Sequence, residues 1–149
     1  MKETSLSFNK YGRLKPGVYF LEWDDFKRKF GTTSHRKRLI SGLKTAVLQL
    51  KSAGCQTVYI DGSFVTTKVV PNDFDACWDA TGVNPFLLDP IFRDFSNGRR
   101  AQKTKYKGEL FPANNIADDK GTVFLDFFQT DKSNGEQKGI IAIDLRKSI

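Results

Sequence analysis

The feature that most constrains the fold is a long amphipathic segment that leads directly into a strand and a Gly-Ser turn. Thr33 or Ser34 can cap a helix at its start, and Gly54 lies where helices commonly end. Between them, apolar side chains recur at helical spacing, at Leu39, Leu43, Val47 and Leu50. The pattern predicts one long helix with an apolar face.

Two strand-like segments follow this helix. Residues 57–60 (TVYI) are β-branched or aromatic and predict a buried strand that runs into Asp61, Gly62 and Ser63. After a turn signal at residues 71–72, residues 73–78 predict a second strand. Helix, strand, Gly-Ser turn and acidic strand therefore follow in this order.

The second strand carries Asp73 and Asp75 at alternate positions. Side chains at positions i and i+2 of a strand point to the same face, so the two carboxylates can lie side by side while Phe74 packs inward. Such a pair repels itself, and a hard divalent cation relieves the repulsion. Because Mg²⁺ is commonly held by a few carboxylates together with substrate phosphate oxygens, the pair predicts a Mg²⁺ site.

The Gly62-Ser63 turn supplies groups that can bind phosphate. Glycine lets the backbone approach closely, and the Ser63 hydroxyl and neighbouring N–H groups can donate hydrogen bonds to the β and γ phosphates. Phosphoryl-type transfer depends mainly on positioning and charge neutralisation. The turn and the two carboxylates together predict a site for a nucleoside triphosphate and Mg²⁺.

The order of strand, Gly-Ser, nine residues and a strand-borne Asp-x-Asp resembles the signature of the DNA polymerase β-like nucleotidyltransferase superfamily. The segments DGSFVT, NDFDACWD, KGELFPA, FLDFFQTDK and KGIIAIDL also resemble an uncharacterised bacterial family of minimal nucleotidyltransferase-like proteins (DUF6932-like), over about residues 14–145. The resemblance implies an α/β (α+β) nucleotidyltransferase fold, in which helices flank a small mixed β-sheet. It places the site at the mouth between the turn and the acidic strand.

The superfamily resemblance also implies an activity. A nucleoside monophosphate would pass from an NTP, with ATP expected, to an acceptor hydroxyl, and pyrophosphate would be released. Gly62 and Ser63 would bind phosphate, and Asp73 and Asp75 would bind metal. The acceptor would be a protein hydroxyl or a tRNA end. By analogy the setting would be a toxin–antitoxin or phage-defence system with a cognate toxin or antitoxin as partner.

Superfamily members usually have a third carboxylate on a following strand, as a metal ligand or as a base toward the acceptor hydroxyl. Glu109 is the first candidate because it lies within the predicted strand 108–111, and Asp126 is the alternative. Many minimal members also carry an arginine soon after the Gly-Ser turn. Lys68 occupies that region here and could contact phosphate as a point charge.

Two basic clusters favour anionic ligands or, alternatively, an ordinary charged surface. His35, Arg36, Lys37 and Arg38 occupy the first turn of the long helix, where the helix dipole is already positive. Arg99, Arg100, Lys103, Lys105 and Lys107 precede the strand 108–111 and could line a groove for triphosphate or nucleic acid. The chain as a whole carries 24 Lys and Arg against 17 Asp and Glu, a formal net charge of +7.

The remaining segments fit one domain over residues 1–149. We predict an irregular lead-in over 1–20, a short helix over 23–30 ended by Gly31, and a helix over 84–95 interrupted at Pro90. The apolar runs 122–129 and 139–145, joined by DKSNGEQ, predict a closing β-hairpin.

Several classes are disfavoured. No apolar run approaches the roughly 18 residues of a membrane span, and MKETSLSFNK lacks the apolar core of a signal peptide, so we expect a cytoplasmic protein without a membrane partner. Cys55, Cys77 and a single histidine indicate neither a disulfide framework nor a zinc site. Because the chain has no obvious acceptor-binding domain, a catalytically inactive module that binds a nucleotide, RNA or a partner protein is a second hypothesis.

Overall fold

A mixed five-stranded sheet is the centre of the computed structural model, which describes residues 6–68 and 71–149, with the backbone alone at Ser63. Four α-helices complete a small single-domain α+β fold. The strands are β1 (Gly17–Phe20), β2 (Thr57–Asp61), β3 (Phe74–Trp78), β4 (Gly108–Pro112) and β5 (Gly139–Asp144). The helices are α1 (Trp23–Phe30), α2 (Ser34–Ser52), α3 (Ser96–Tyr106) and α4 (Phe124–Phe127).

The strand order is β1-β5-β2-β3-β4. The outer pairs β1/β5 and β3/β4 are parallel, whereas β2 runs antiparallel to both β5 and β3. Every residue of β5 except Asp144 is buried, as expected for a strand with neighbours on both sides.

One face of the sheet packs against α1, α2 and α3 and forms the main core. The predicted helix 23–30 is confirmed as α1, and its aromatic residues Trp23, Phe26 and Phe30 are all buried on one side. The predicted long helix is confirmed as α2, in which the Thr33 side chain accepts a hydrogen bond from the Arg36 N–H. Full burial of one large aliphatic or aromatic side chain stabilises the fold by about 1.5–3 kcal/mol.

The opposite face of the sheet is only partly covered. A smaller apolar cluster lies there, formed by Cys77, Ala113, Phe128 and Ile140 and flanked by side chains of α4. Because side chains alternate along a strand, β2, β3 and β4 also present Asp61, Asp75 and Glu109 on this face. This partly covered face carries the candidate site.

The predicted C-terminal hairpin is confirmed only in part: its second strand is β5 and an antiparallel bridge joins Thr130 to Gln137, but the first strand is wrong. Residues 124–127 form α4, and β5 pairs with β1 and β2 rather than with residues 122–129. The apolar side chains Phe124, Leu125, Phe127 and Phe128 recur at helical rather than alternating spacing, which explains the helix.

Two further expectations need correction. Residues 17–20 of the predicted irregular lead-in form β1, an edge strand in which Val18 and Phe20 are exposed. The predicted helix 84–95 is reduced to a 3-10 turn, Pro90–Arg93, that the Asp89 side chain caps. Pro90 lacks an N–H and so cannot continue a preceding helix. No helix in the described part of the chain has the length and apolar character of a membrane span.

Candidate functional site

Three carboxylates converge at one end of the partly covered face. Asp73, Asp75 and Glu109 each place an oxygen within 4.8 Å of the others, and all three side chains are half-buried. Asp75 on β3 lies directly opposite Glu109 on the parallel neighbour β4, while Phe74 points into the main core as expected. The structure thus brings together the three residues predicted as metal ligands, which we call the acidic trio.

The alternative third carboxylate lies elsewhere. Asp126 is exposed on α4 and is not part of the acidic trio. Since α4 covers the neighbouring part of the sheet as a helix instead of joining the sheet as a strand, Asp126 has no strand register that would align it with Asp75.

A fourth carboxylate, Asp61, was not singled out from the sequence. It ends β2 directly opposite Asp75, is 5% exposed, and pairs with Lys138 through a contact of 2.8 Å between Lys138 Nζ and Asp61 Oδ1. The alternation along β2 could have revealed it, because Asp61 shares a face with Tyr59 and so lies on the side opposite the buried Val58 and Ile60.

The cations around these carboxylates are unevenly distributed. Glu109 Oε1 lies 2.9 Å from Lys103 Nζ and 3.3 Å from an Arg99 nitrogen. Within residues 6–68 and 71–149, no cation lies within ion-pair distance of Asp75. Among the described residues, Asp61 and Glu109 are therefore each paired with cations, whereas Asp75 between them is not.

This environment changes the protonation of the central acids. Burial, followed by the charges of Asp73, Glu109 and Asp61, raises the pKa of Asp75 to about 7. Burial and the charge of Glu109 raise the pKa of Asp73. A divalent cation would favour the ionised form of both carboxylates, because it supplies the positive charge that the chain does not.

The Gly62 turn lies against Asp75. Gly62 has a φ of +82°, and a Cβ atom there would lie 2.7 Å from Asp75 Oδ2. Only glycine combines this backbone conformation with this close approach. A 3-10 turn, Ser63–Val65, follows directly. The side chain of Ser63 lies outside the described residues, so its predicted contact with phosphate stays a prediction.

Arg36 holds the backbone that follows the turn. This side chain is 4% exposed, and its guanidinium donates to the carbonyl oxygens of Phe64 at 2.6 Å, Thr66 at 3.1 Å and Lys68. It also lies over the Phe64 ring, 5.1 Å from the centroid. The basic cluster at the start of α2 is therefore divided, because Arg36 serves the loop and is not available to an external anion.

A cleft of about 500 Å³ opens beside the turn, and we call it the turn-side cleft. Gly62 and Asp75 form its inner wall, Tyr11 and Phe127 contribute aromatic rings, and basic residues surround it: Arg13, Lys68, Lys132 and Lys138. Lys68, predicted as a phosphate contact, thus lies in the same cleft as the turn. The cleft offers rings for a base and cations for phosphates.

A second cleft, of about 550 Å³, also borders the trio but shares no lining residue with the turn-side cleft, and we call it the helix-side cleft. Asp73 contributes the carboxylate, and the start of α2 and the end of α3 contribute basic side chains: His35, Arg38, Lys103 and Lys107. Of the basic cluster that precedes β4, Lys103 and Lys107 line this cleft, whereas Lys105 pairs with Asp89, at 2.6 Å. The acidic trio therefore borders both clefts, through Asp75 on one side and Asp73 on the other.

Comparison with known proteins identifies a family but no function. A model described as "Family of unknown function (DUF6932)" matches residues 6–144, so the chain belongs to this family. No curated protein and no solved structure matches.

Proposed function

We propose that this DUF6932 member is a Mg²⁺-dependent nucleotidyltransferase that moves a nucleoside monophosphate from an NTP, with ATP expected, to an acceptor hydroxyl. The observation that carries the proposal is the convergence of Asp73, Asp75 and Glu109 beside the Gly62 turn. The specific nucleotidyltransferase fold and a toxin–antitoxin or phage-defence setting belong to the same proposal, and they rest on the sequence resemblance.

The acidic trio suits Mg²⁺ by the chemistry of its donors. Mg²⁺ prefers oxygen ligands and is usually held by a few carboxylates together with substrate phosphates. Asp73, Asp75 and Glu109 would hold it, and Lys103 and Arg99 would have to share Glu109 with the ion. When bound, the ion would neutralise phosphate charge and promote attack at phosphorus.

The turn-side cleft suits the nucleotide. In this arrangement, backbone N–H groups of the Gly62 turn and the side chains of Lys68 and Lys132 bind the triphosphate, and the ring of Tyr11 or Phe127 packs against the base. Positively charged side chains favour a triphosphate by charge alone, and the uncompensated Asp75 turns toward the same space.

The reaction then needs only positioning and one proton acceptor. The acceptor oxygen forms a bond to the α-phosphorus, the bond from the α-phosphorus to the oxygen bridging it to the β-phosphorus breaks, and pyrophosphate leaves. The hydroxyl proton passes to solvent water, because all three carboxylates of the trio are assigned to the metal ion. Asp61 and Lys138 support this arrangement because their ion pair fixes the strand end beside Asp75.

The test is transfer of label from α-labelled ATP in the presence of Mg²⁺, with tRNA and with a protein extract as acceptors. Asp75→Asn and Asp73→Asn are expected to lower transfer by at least about 100-fold, a loss typical of removing transition-state charge stabilisation. Asp126→Asn is the matched control, since it removes an exposed carboxylate outside the trio. Transfer that persists in Asp75→Asn would refute the proposal.

A second candidate function is nucleotide or RNA binding without transfer. The observation in its favour is that Glu109 is already engaged by both Arg99 and Lys103, which compete with a metal ion for this carboxylate. Binding of ATP with Mg²⁺ that leaves no label on any acceptor, in the wild type as in Asp75→Asn, would support the binding module instead.

A further inference from the structure

We infer that the helix-side cleft binds the end of a single-stranded polynucleotide, whose terminal hydroxyl is the acceptor. The inference deepens the proposed function and rests on it. It is carried by three cationic side chains, those of Arg38, Lys103 and Lys107, that line one cleft together with Asp73 of the acidic trio.

The position of the cleft suits an acceptor. A transfer reaction needs two substrates that meet at one phosphorus, and the acidic trio borders two clefts that share no lining residue. The turn-side cleft contains the turn and the aromatic rings that suit an NTP. The helix-side cleft contains Asp73, so a hydroxyl bound there would lie beside the same metal-binding group as the triphosphate; its oxygen would bond to the α-phosphorus as pyrophosphate departs, and its proton would pass to solvent.

The charge of the cleft suits phosphodiesters. Arg38, Lys103 and Lys107 are exposed, and Arg38 lies near the start of α2. Lys103 pairs with Glu109. In the part of the chain that the structure describes, neither Arg38 nor Lys107 pairs with a carboxylate. A protein acceptor would be favoured by apolar or mixed walls, whereas a chain of phosphates is favoured by cations without acid partners.

The close packing of α2 against the end of α3 places these cations around one cleft. α2 and the end of α3 cross at Gly42, where an added Cβ atom would lie 2.2 Å from the Tyr106 carbonyl oxygen and 2.6 Å from Lys107 Cγ. Arg38 lies one turn before Gly42 on the same face of α2, and Lys107 directly follows the end of α3, which carries Lys103. The close crossing therefore brings cations of both helices together beside Asp73.

The test measures binding of a fluorescent RNA oligonucleotide of about twelve uridines, without ATP, at about 50 and 200 mM salt. Arg38→Ala and Lys107→Ala are each expected to weaken binding about fivefold at the lower salt and to reduce the salt slope by about 0.7, the value for one phosphate contact on a single strand. Lys44→Ala is the matched control, because it removes one exposed positive charge from α2 away from both clefts.

The outcomes separate this inference from the proposed function. Loss of RNA affinity in Arg38→Ala and Lys107→Ala with unchanged ATP affinity supports the inference, and a matching loss with DNA would assign the site to polynucleotides in general. RNA affinity equal to that of Lys44→Ala, or label transfer to a protein that Arg38→Ala leaves unchanged, overturns it. Failure of the proposed function would be seen independently, as transfer or ATP binding that does not respond to Asp75→Asn.

Discussion

Asp75 has acidic neighbours on both sides, Asp61 on β2 and Glu109 on β4, and Asp73 lies just ahead of β3. Lys138 and Lys103 compensate the two flanking acids, at 2.8 and 2.9 Å. Burial, followed by the charges of Asp73, Glu109 and Asp61, raises the pKa of Asp75 to about 7, so a proton or a metal ion is needed to neutralise this carboxylate. The ionised form of Asp75, which a metal ion would require, is the form that destabilises the metal-free fold.

The first prediction concerns this conflict. Because the pKa of Asp75 is about 7 in the fold against 3.8 for an unperturbed carboxyl, the folded state holds the proton more tightly. The stability that this proton contributes is therefore lost as the pH rises through about 7. Metal-free wild-type protein is expected to lose more free energy of unfolding between about pH 5 and pH 8 than Asp75→Asn does. Urea denaturation in EDTA measures both, and Asp126→Asn is the control. An equal pH dependence of the free energy of unfolding in all three proteins would show that the pKa of Asp75 is not raised.

A second prediction concerns Gly62. Gly62→Ala is expected to cost about 1–2 kcal/mol of stability because of the positive φ, and also to displace the Asp75 carboxylate, so that Mg²⁺ affinity falls about tenfold or more. Gly121→Ala is a close control, since Gly121 has a φ of +81° and an added Cβ atom would meet nothing within 4 Å. Calorimetric Mg²⁺ titration should separate them. Equal Mg²⁺ affinity in the two variants would show that the contact with Asp75 has no role.

At the scale of elements, the loop after the Gly62 turn is tied to α2 by one side chain. Arg36 links the start of the helix to the carbonyls of Phe64, Thr66 and Lys68. A helix from the main core thereby fixes a loop that borders the turn-side cleft.

The third prediction follows from this link. Arg36→Met removes the donor to the buried carbonyl oxygen of Phe64 and to the partly buried carbonyl oxygens of Thr66 and Lys68, and is expected to cost about 2–3 kcal/mol, with weaker ATP binding. Arg36→Lys should recover part of both losses. Lys37→Met, an exposed neighbour, should change stability by less than about 0.5 kcal/mol. Urea denaturation and ATP titration measure the two effects. An Arg36→Met protein as stable as Lys37→Met would refute the role of this link.

The sequence predicted those elements whose local pattern agrees with their final environment. Helix α2 has a cap, a period and a terminal glycine, and the strand 73–78 showed two carboxylates on one face and Phe74 on the other. Residues 17–20 could not be predicted as β1, because an exposed edge strand gains its partner, β5, from the other end of the chain. Residues 122–129 were wrongly predicted because an apolar run of this length suits either a strand or a helix.

The site was predictable to a similar degree. The Gly62 turn and the Asp73/Asp75 pair follow from the sequence, and the β3/β4 register makes Glu109 rather than Asp126 the neighbouring carboxylate. The Asp61–Lys138 pair is separated by 77 residues along the chain, so no local pattern announces it. Arg36 was placed in a surface cluster because its burial depends on the path of the loop that it binds.

At the scale of the whole molecule, the sheet places the acidic trio between two basic clefts of about 500 and 550 Å³. The net charge of +7 is thus concentrated partly where anionic substrates would meet. Asp75 faces one cleft and Asp73 the other, so a single metal-binding group would serve both substrates.

The fourth prediction concerns pH and metal affinity of the intact molecule. A proton on Asp75 competes with the metal ion, so Mg²⁺ affinity is expected to rise with pH up to about 7 and then to level off. Calorimetric titration at several pH values measures this. A flat profile between about pH 5 and pH 8 would contradict the assignment of Asp75 as a ligand.

The central claim is that the acidic trio binds a divalent cation. The most direct measurement is titration of the full chain with Mn²⁺, a paramagnetic substitute for Mg²⁺, followed by electron paramagnetic resonance with and without ATP. We expect Mn²⁺ to bind more tightly in the presence of ATP. Binding is expected to be abolished in Asp75→Asn and preserved in Asp126→Asn. Mn²⁺ binding that is absent from the wild type, or equal in the two variants, would contradict it.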